Sequence, residues 1–84
     1  MDTIMLIDEV CVVRRNKALL RTIGTNVKRF RDAKKISQER LAEFADCHRN
    51  YVARIELGQI DLSVSGLIQL ARGLQVDPME LLKK

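Results

Sequence analysis

Arg49, Asn50 and Arg54 place three planar hydrogen-bond donors within six residues, and Tyr51 adds a phenolic hydroxyl. These groups fit the edges of nucleic-acid bases. Arg pairs with guanine through O6 and N7, Asn with adenine through N6 and N7, and each good pair gives about 1–3 kcal/mol of discrimination. Arg49 and Arg54 stand five apart, so they bracket one face of a helix. Val52 and Ile55 fall on the other face and predict packing. Asn50 equally fits a helix cap. Tyr51, beside Val52, fits either the core or a hydroxyl contact to phosphate. Catalysis is a poor reading. His48 is the only histidine, and no nucleophile and carboxylate join it at motif spacing, so it is expected as a turn residue near the backbone. Cys11 and Cys47 form no CxxC pair, which argues against a zinc site or a disulfide framework. Cys47 is expected as a buried free thiol in a reduced, cytoplasmic protein. No metal or cofactor is implied.

Two short helices must position these donors. From Gln38 to Leu57, Leu41, Ala42 and Ala45 share one face of the first helix, and Val52 and Ile55 share one face of the second. Only Asp46-Cys47-His48 separates them. That is the spacing of a helix-turn-helix, whose second helix enters the major groove. Ser37 predicts the N-cap of helix 2, Asp46 a left-handed turn residue, and Gly58 the end of helix 3. Upstream, Ile23, Val27, Phe30 and Ala33 predict helix 1 over about 21–34. Downstream, Ser63 caps helix 4, whose expected core face is Val64, Leu67, Ile68, Ala71 and Leu74, with Gly73 marking its end. Asp77-Pro78 starts helix 5, over Pro78–Leu82.

The expected fold is therefore all-α, a compact five-helix helix-turn-helix domain over 21–84 with an N-terminal extension over 1–20. The extension is rich in Ile and Val and fits a strand or a helix. With no strand partner elsewhere, a helix or irregular arm is preferred, covered by the domain or by a second subunit.

Charge points the same way. Eighty-four residues make one small domain with a modest core, and the net charge is +4. Residues 14–54 hold twelve Lys/Arg against four Asp/Glu, a net of +8. The remainder holds three against seven, a net of −4. One basic half suits a face turned to a polyanion, although on charge alone a solvated basic surface is the preferred reading. No apolar run is long enough to span a bilayer, so no membrane partner is expected.

These residues resemble the phage repressor/Cro (Xre-type) family from about Ile23 to Leu82. Within that, SQERLAEFADCHRNYVARIELGQ is most similar to the controller proteins of restriction–modification systems. The resemblance implies a lambda-repressor-like fold and places Arg49, Asn50 and Arg54 at positions that face base edges. It places Gln38 where helix 2 meets a phosphate, and Tyr51 near the backbone. Ser37, Gln59, Ser63 and Ser65 are weaker phosphate candidates. Arg31 and Glu56 match a helix 1–helix 3 ion pair. That pairing is preferred to a phosphate contact by Arg31, because a free Glu56 at the end of a DNA-facing helix would repel phosphate. Two departures stand out: Asp46 replaces the usual Gly, and Leu57 and Ile60 occupy places where polar residues often touch phosphates. Leu74, Val76, Met79, Leu81 and Leu82 exceed what one small core needs and suggest a dimer seam.

The resulting expectation is a sequence-specific transcriptional regulator without cofactor. It would bind a pseudo-palindromic operator in double-stranded DNA as a homodimer and, by resemblance, control a restriction–modification operon. The rival expectation is an antitoxin-like or other protein-interaction module, with the apolar extension masking a protein partner.

Overall fold

The structure, a computed structural model, describes residues 15–84. Four α-helices appear in order, α1 (Lys17–Ala33), α2 (Gln38–Ala45), α3 (Arg49–Glu56) and α4 (Val64–Leu74). A 3₁₀ helix, Pro78–Leu81, follows them. No strand occurs among the described residues. Most of the expected N-terminal arm, residues 1–14, lies outside them.

Local chemistry sets each helix start. Asn16, Ser37, Ser63 and Asp77 each accept a backbone N–H with the side chain, from Leu19, Arg40, Gly66 and Met79 respectively. α1 thus begins at Lys17 rather than near 21, because Asn16 caps it, and Leu20 joins the buried residues. The last element is a 3₁₀ helix rather than an α-helix; Asp77 and Pro78 start it as expected.

Helix ends follow one pattern. An N–H returns to a carbonyl five residues back at Ile36→Arg31, Cys47→Ala42, Gln59→Arg54 and Val76→Ala71. The residue before each donor, Lys35, Asp46, Gly58 or Gln75, has a positive φ. This is the left-handed closure that satisfies a helix's last carbonyls. Only one of the four positions carries glycine. Asp46, at φ 55°, takes the turn between α2 and α3 without it. Gly73 does not end α4, which runs on to Leu74 and closes at Gln75.

The core gathers Ile23 and Val27 of α1, Leu41 and Ala45 of α2, Val52 and Ile55 of α3, and Leu70, Ala71 and Leu74 of α4. Leu81 closes it from the 3₁₀ helix. The α4 face differs from the expected one. Leu70 is buried, whereas Val64 is 73% exposed and Ile68 38%. Ala33 is also exposed. Cys47 is half-buried rather than buried. Leu74 and Leu81 are fully buried, so they are core residues and are not available to a dimer seam.

Two contacts fix α1. A Cβ on Gly24 would lie 2.8 Å from the Glu56 carbonyl oxygen and closer still to that of Ile55, so only glycine permits this approach to α3. Asn26, the one buried polar residue of the described chain, donates its Nδ2 to the carbonyls of Leu81 (2.9 Å) and Lys83 (2.6 Å). It thereby ties the C-terminal tail to α1.

Candidate nucleic-acid interface

α3 is held from behind by Val52 and Ile55, and its other face is open. Arg49, Asn50 and Arg54 are all exposed. Among the described residues, neither Arg49 nor Arg54 has an ion-pair partner. The cap of α3 is not Asn50. His48 takes that place, its Nδ1 accepting the Asn50 N–H at 3.1 Å. The Asn50 side chain is thereby spared from capping.

Glu56 organises the C-terminal end of α3. Its side chain is only 4% exposed, and Arg31 grips it through Nε at 2.7 Å and a terminal nitrogen at 3.2 Å. Arg31 also donates to the Ile36 carbonyl at 2.8 Å. The hydrogen bond that Arg31 donates to Glu56 raises the Arg31 pKa, against a smaller opposing effect of burial. The expected ion pair is present. Its consequence is geometric: the carboxylate is neutralised before it can face a phosphate, and α1, the α1–α2 loop and α3 are tied together.

Gln38 belongs to the same network. Its Nε2 donates to Glu56 Oε1 at 3.0 Å, a bond that nothing local in the sequence signals. This fixes the side chain at the first position of α2, where unpaired backbone N–H groups favour anions. Ser37, Gln38 and Arg49 line one shallow cleft of about 400 Å³ together with Arg31 and Glu39. Two backbone candidates and one base candidate therefore share a surface.

The remaining candidates lie on the other flank of α3. Tyr51 is half-buried against the core, and its hydroxyl would lie 2.6 Å from a Cβ at Gly66 in the first turn of α4. Burial, and to a lesser degree the nearby Cys47, raises its pKa. Ser63 spends its hydroxyl oxygen on the Gly66 N–H, while Ser65 and Gln59 are exposed. α3 is thus flanked by two helix N-termini, that of α2 near Arg49 and that of α4 near Tyr51.

The chain matches the helix-turn-helix family over residues 27–81. It is 34% identical over 62 residues to the control protein C.SmaI of Serratia marcescens, covering 74% of each chain. It is 37% identical over 60 residues to the control protein C.BamHI of Bacillus amyloliquefaciens, covering 70% of this chain and 74% of that one. The chain belongs to the helix-turn-helix family of control proteins. Its fold is similar to that of the restriction-modification controller protein C.AhdI from Aeromonas hydrophila, with a TM-score of 0.74 and 38% identity over 76% of this chain and 97% of that one. The expected all-α fold, and the reading of a DNA-binding helix-turn-helix transcription regulator, both hold for this family member. None of the described helices is long and apolar enough to cross a membrane.

Proposed function

We propose that this protein is a sequence-specific transcriptional regulator that reads a pseudo-palindromic operator as a homodimer and controls a restriction–modification operon. One observation carries the reading. α3 presents Arg49, Asn50 and Arg54 outward, without an ion pair among the described residues, between two helix N-termini. Laid in a major groove, α3 brings those three side chains to base edges. Ser37 and Gln38 then approach one sugar–phosphate strand, and Tyr51, Gln59, Ser63 and Ser65 the other. Phosphate contacts fix register, and base contacts supply sequence. The link to a restriction–modification operon rests on the relatives' names and on C.AhdI.

Dimerisation rests on the surface that remains after Leu74 and Leu81 are assigned to the core. Met79 is 60% exposed, and Val76 and Leu82 are half-buried. Leu82 also lines an apolar groove of about 240 Å³ with Leu19, Val64 and Leu67. A two-fold pairing across these residues doubles the contacts, which a single module needs in order to discriminate an operator from a genome.

Selection of bound duplexes from a random pool tests the reading. The expected product is a pseudo-palindrome with half-sites about 10 base pairs apart, centre to centre. Its affinity should fall with salt by a log–log slope of about −0.9 per phosphate contacted. A pool that shows no enrichment would reject the assignment.

A further inference from the structure

The charge of this chain does not all lie near α3. Arg21 projects from the first half of α1, and Lys83 and Lys84 come from the C-terminal tail, more than sixty positions later. The fold brings them around one cleft of about 490 Å³, shared with Thr22, Thr25 and Asn26. Among the described residues, no acidic side chain lines it. By sequence, Lys83 and Lys84 sit in the acidic remainder of the chain, so this cluster exists only in three dimensions.

Two details show that the cluster is built. Asn26, 5% exposed, uses both Nδ2 protons on the tail, at Leu81 O and Lys83 O. A buried amide thus holds the two lysines against α1. Arg21 in turn packs on the loop that leaves α3, its Cγ 3.2 Å and its Cα 3.4 Å from a Cβ at Gly58. The cleft therefore adjoins the segment that follows the reading helix. Among the described residues, only Lys83 of these cations has a carboxylate partner, Glu80 at 2.8 Å. That pair is solvent-exposed on both sides and yields readily to a competing anion.

We propose that this cleft seats backbone phosphates of the DNA flanking the sequence read by α3. The proposal rests on the DNA-binding reading above. Its chemistry is that of a diester anion among three cations and the exposed Thr25. Contacts of this kind carry no sequence information and lengthen the footprint.

The test compares two duplexes carrying the selected operator, one ending flush with the half-sites and one extended by about ten base pairs on each side. Wild-type protein should bind the extended duplex several-fold more tightly at low salt. Its salt slope should steepen by about 0.9 for each phosphate added. The triple variant Arg21→Gln, Lys83→Gln, Lys84→Gln should bind the flush duplex as wild type does and gain nothing on extension. Arg72→Gln, which removes a cation elsewhere on α4, should keep the gain. Circular dichroism melting checks that the variants fold alike. Equal wild-type affinity for both duplexes, or a gain that survives in the triple variant, overturns the proposal and leaves the reading of α3 intact. Failure to select any operator would instead reject the DNA-binding reading itself.

Discussion

Gln38 and Glu56 meet at 3.0 Å, the amide of the first donating to the carboxylate of the second. The same carboxylate carries the Arg31 ion pair, so one buried acid connects the start of α2, proposed to meet phosphate, with α3, the proposed base reader. The reading face is therefore held by charge as well as by packing.

Glu56→Ala should be among the most damaging single changes. It leaves the Arg31 guanidinium, 12% exposed, with only the exposed Asp32 carboxylate at 3.4 Å and frees Gln38. Breaking a buried pair from one side costs about 3–5 kcal/mol. In a domain of this size that is a fall in melting temperature on the order of 15 °C. A thermal melt unchanged from wild type would contradict this account of the pair.

Arg49→Ala and Gln38→Ala should separate by specificity. Loss of Arg49 should cost about 1–3 kcal/mol at one or two base pairs and leave random DNA nearly unaffected. Loss of Gln38 should weaken specific and random duplexes alike, because phosphate contacts are blind to sequence. Binding curves on operator and scrambled DNA measure both. Equal losses for Arg49→Ala would mean that another surface reads the bases.

Met79→Asp should yield a folded monomer. Its side chain is mostly exposed, so the fold should tolerate a carboxylate there, whereas an apolar seam should not. Sedimentation should show halved mass with an unchanged helical spectrum. A variant that remains dimeric would move the seam away from Met79.

Stability should decline in alkali through Cys47. Burial, and secondarily Asp46, raises its thiol pKa. The folded state then retains a proton that the unfolded chain releases. The contribution is complete below the ordinary thiol pKa of about 8.5 and is lost as pH rises through the folded value. Cys47→Ala should therefore flatten the stability curve above about pH 8.5 in denaturant titrations under reductant. A decline from Tyr51, whose pKa burial also raises, should remain at higher pH. Parallel curves for the two proteins would remove Cys47 from the explanation.

The parts legible in sequence were those written in adjacent residues. Ser37, Ser63 and Asp77 announce helix starts because a cap bonds only two or three positions ahead. Asp46 and Gly58 mark turns for an equally local reason. Asn16 is not legible as a cap because the apolar pattern that reveals α1 begins only at Ile23, seven positions later. His48 caps α3 in place of Asn50 because its imidazole Nδ1 reaches the N–H two positions ahead, that of Asn50 itself. Counting apolar residues shows that some of Leu74, Val76, Met79, Leu81 and Leu82 exceed the core, but a count cannot say that Leu74 and Leu81 are the ones the core absorbs. The Gln38–Glu56 bond and the cluster of Arg21 with Lys83 and Lys84 join segments distant in sequence, so no window along the chain contains them.

Gly24 has a consequence for how such a protein diverges. Because α1 rests on the carbonyls of Ile55 and Glu56, the seating of α3 depends on main-chain atoms that every amino acid supplies. The outward positions 49, 50 and 54 take no part in that seating. A lineage is thus free to exchange its recognition alphabet, residue by residue, without renegotiating its architecture.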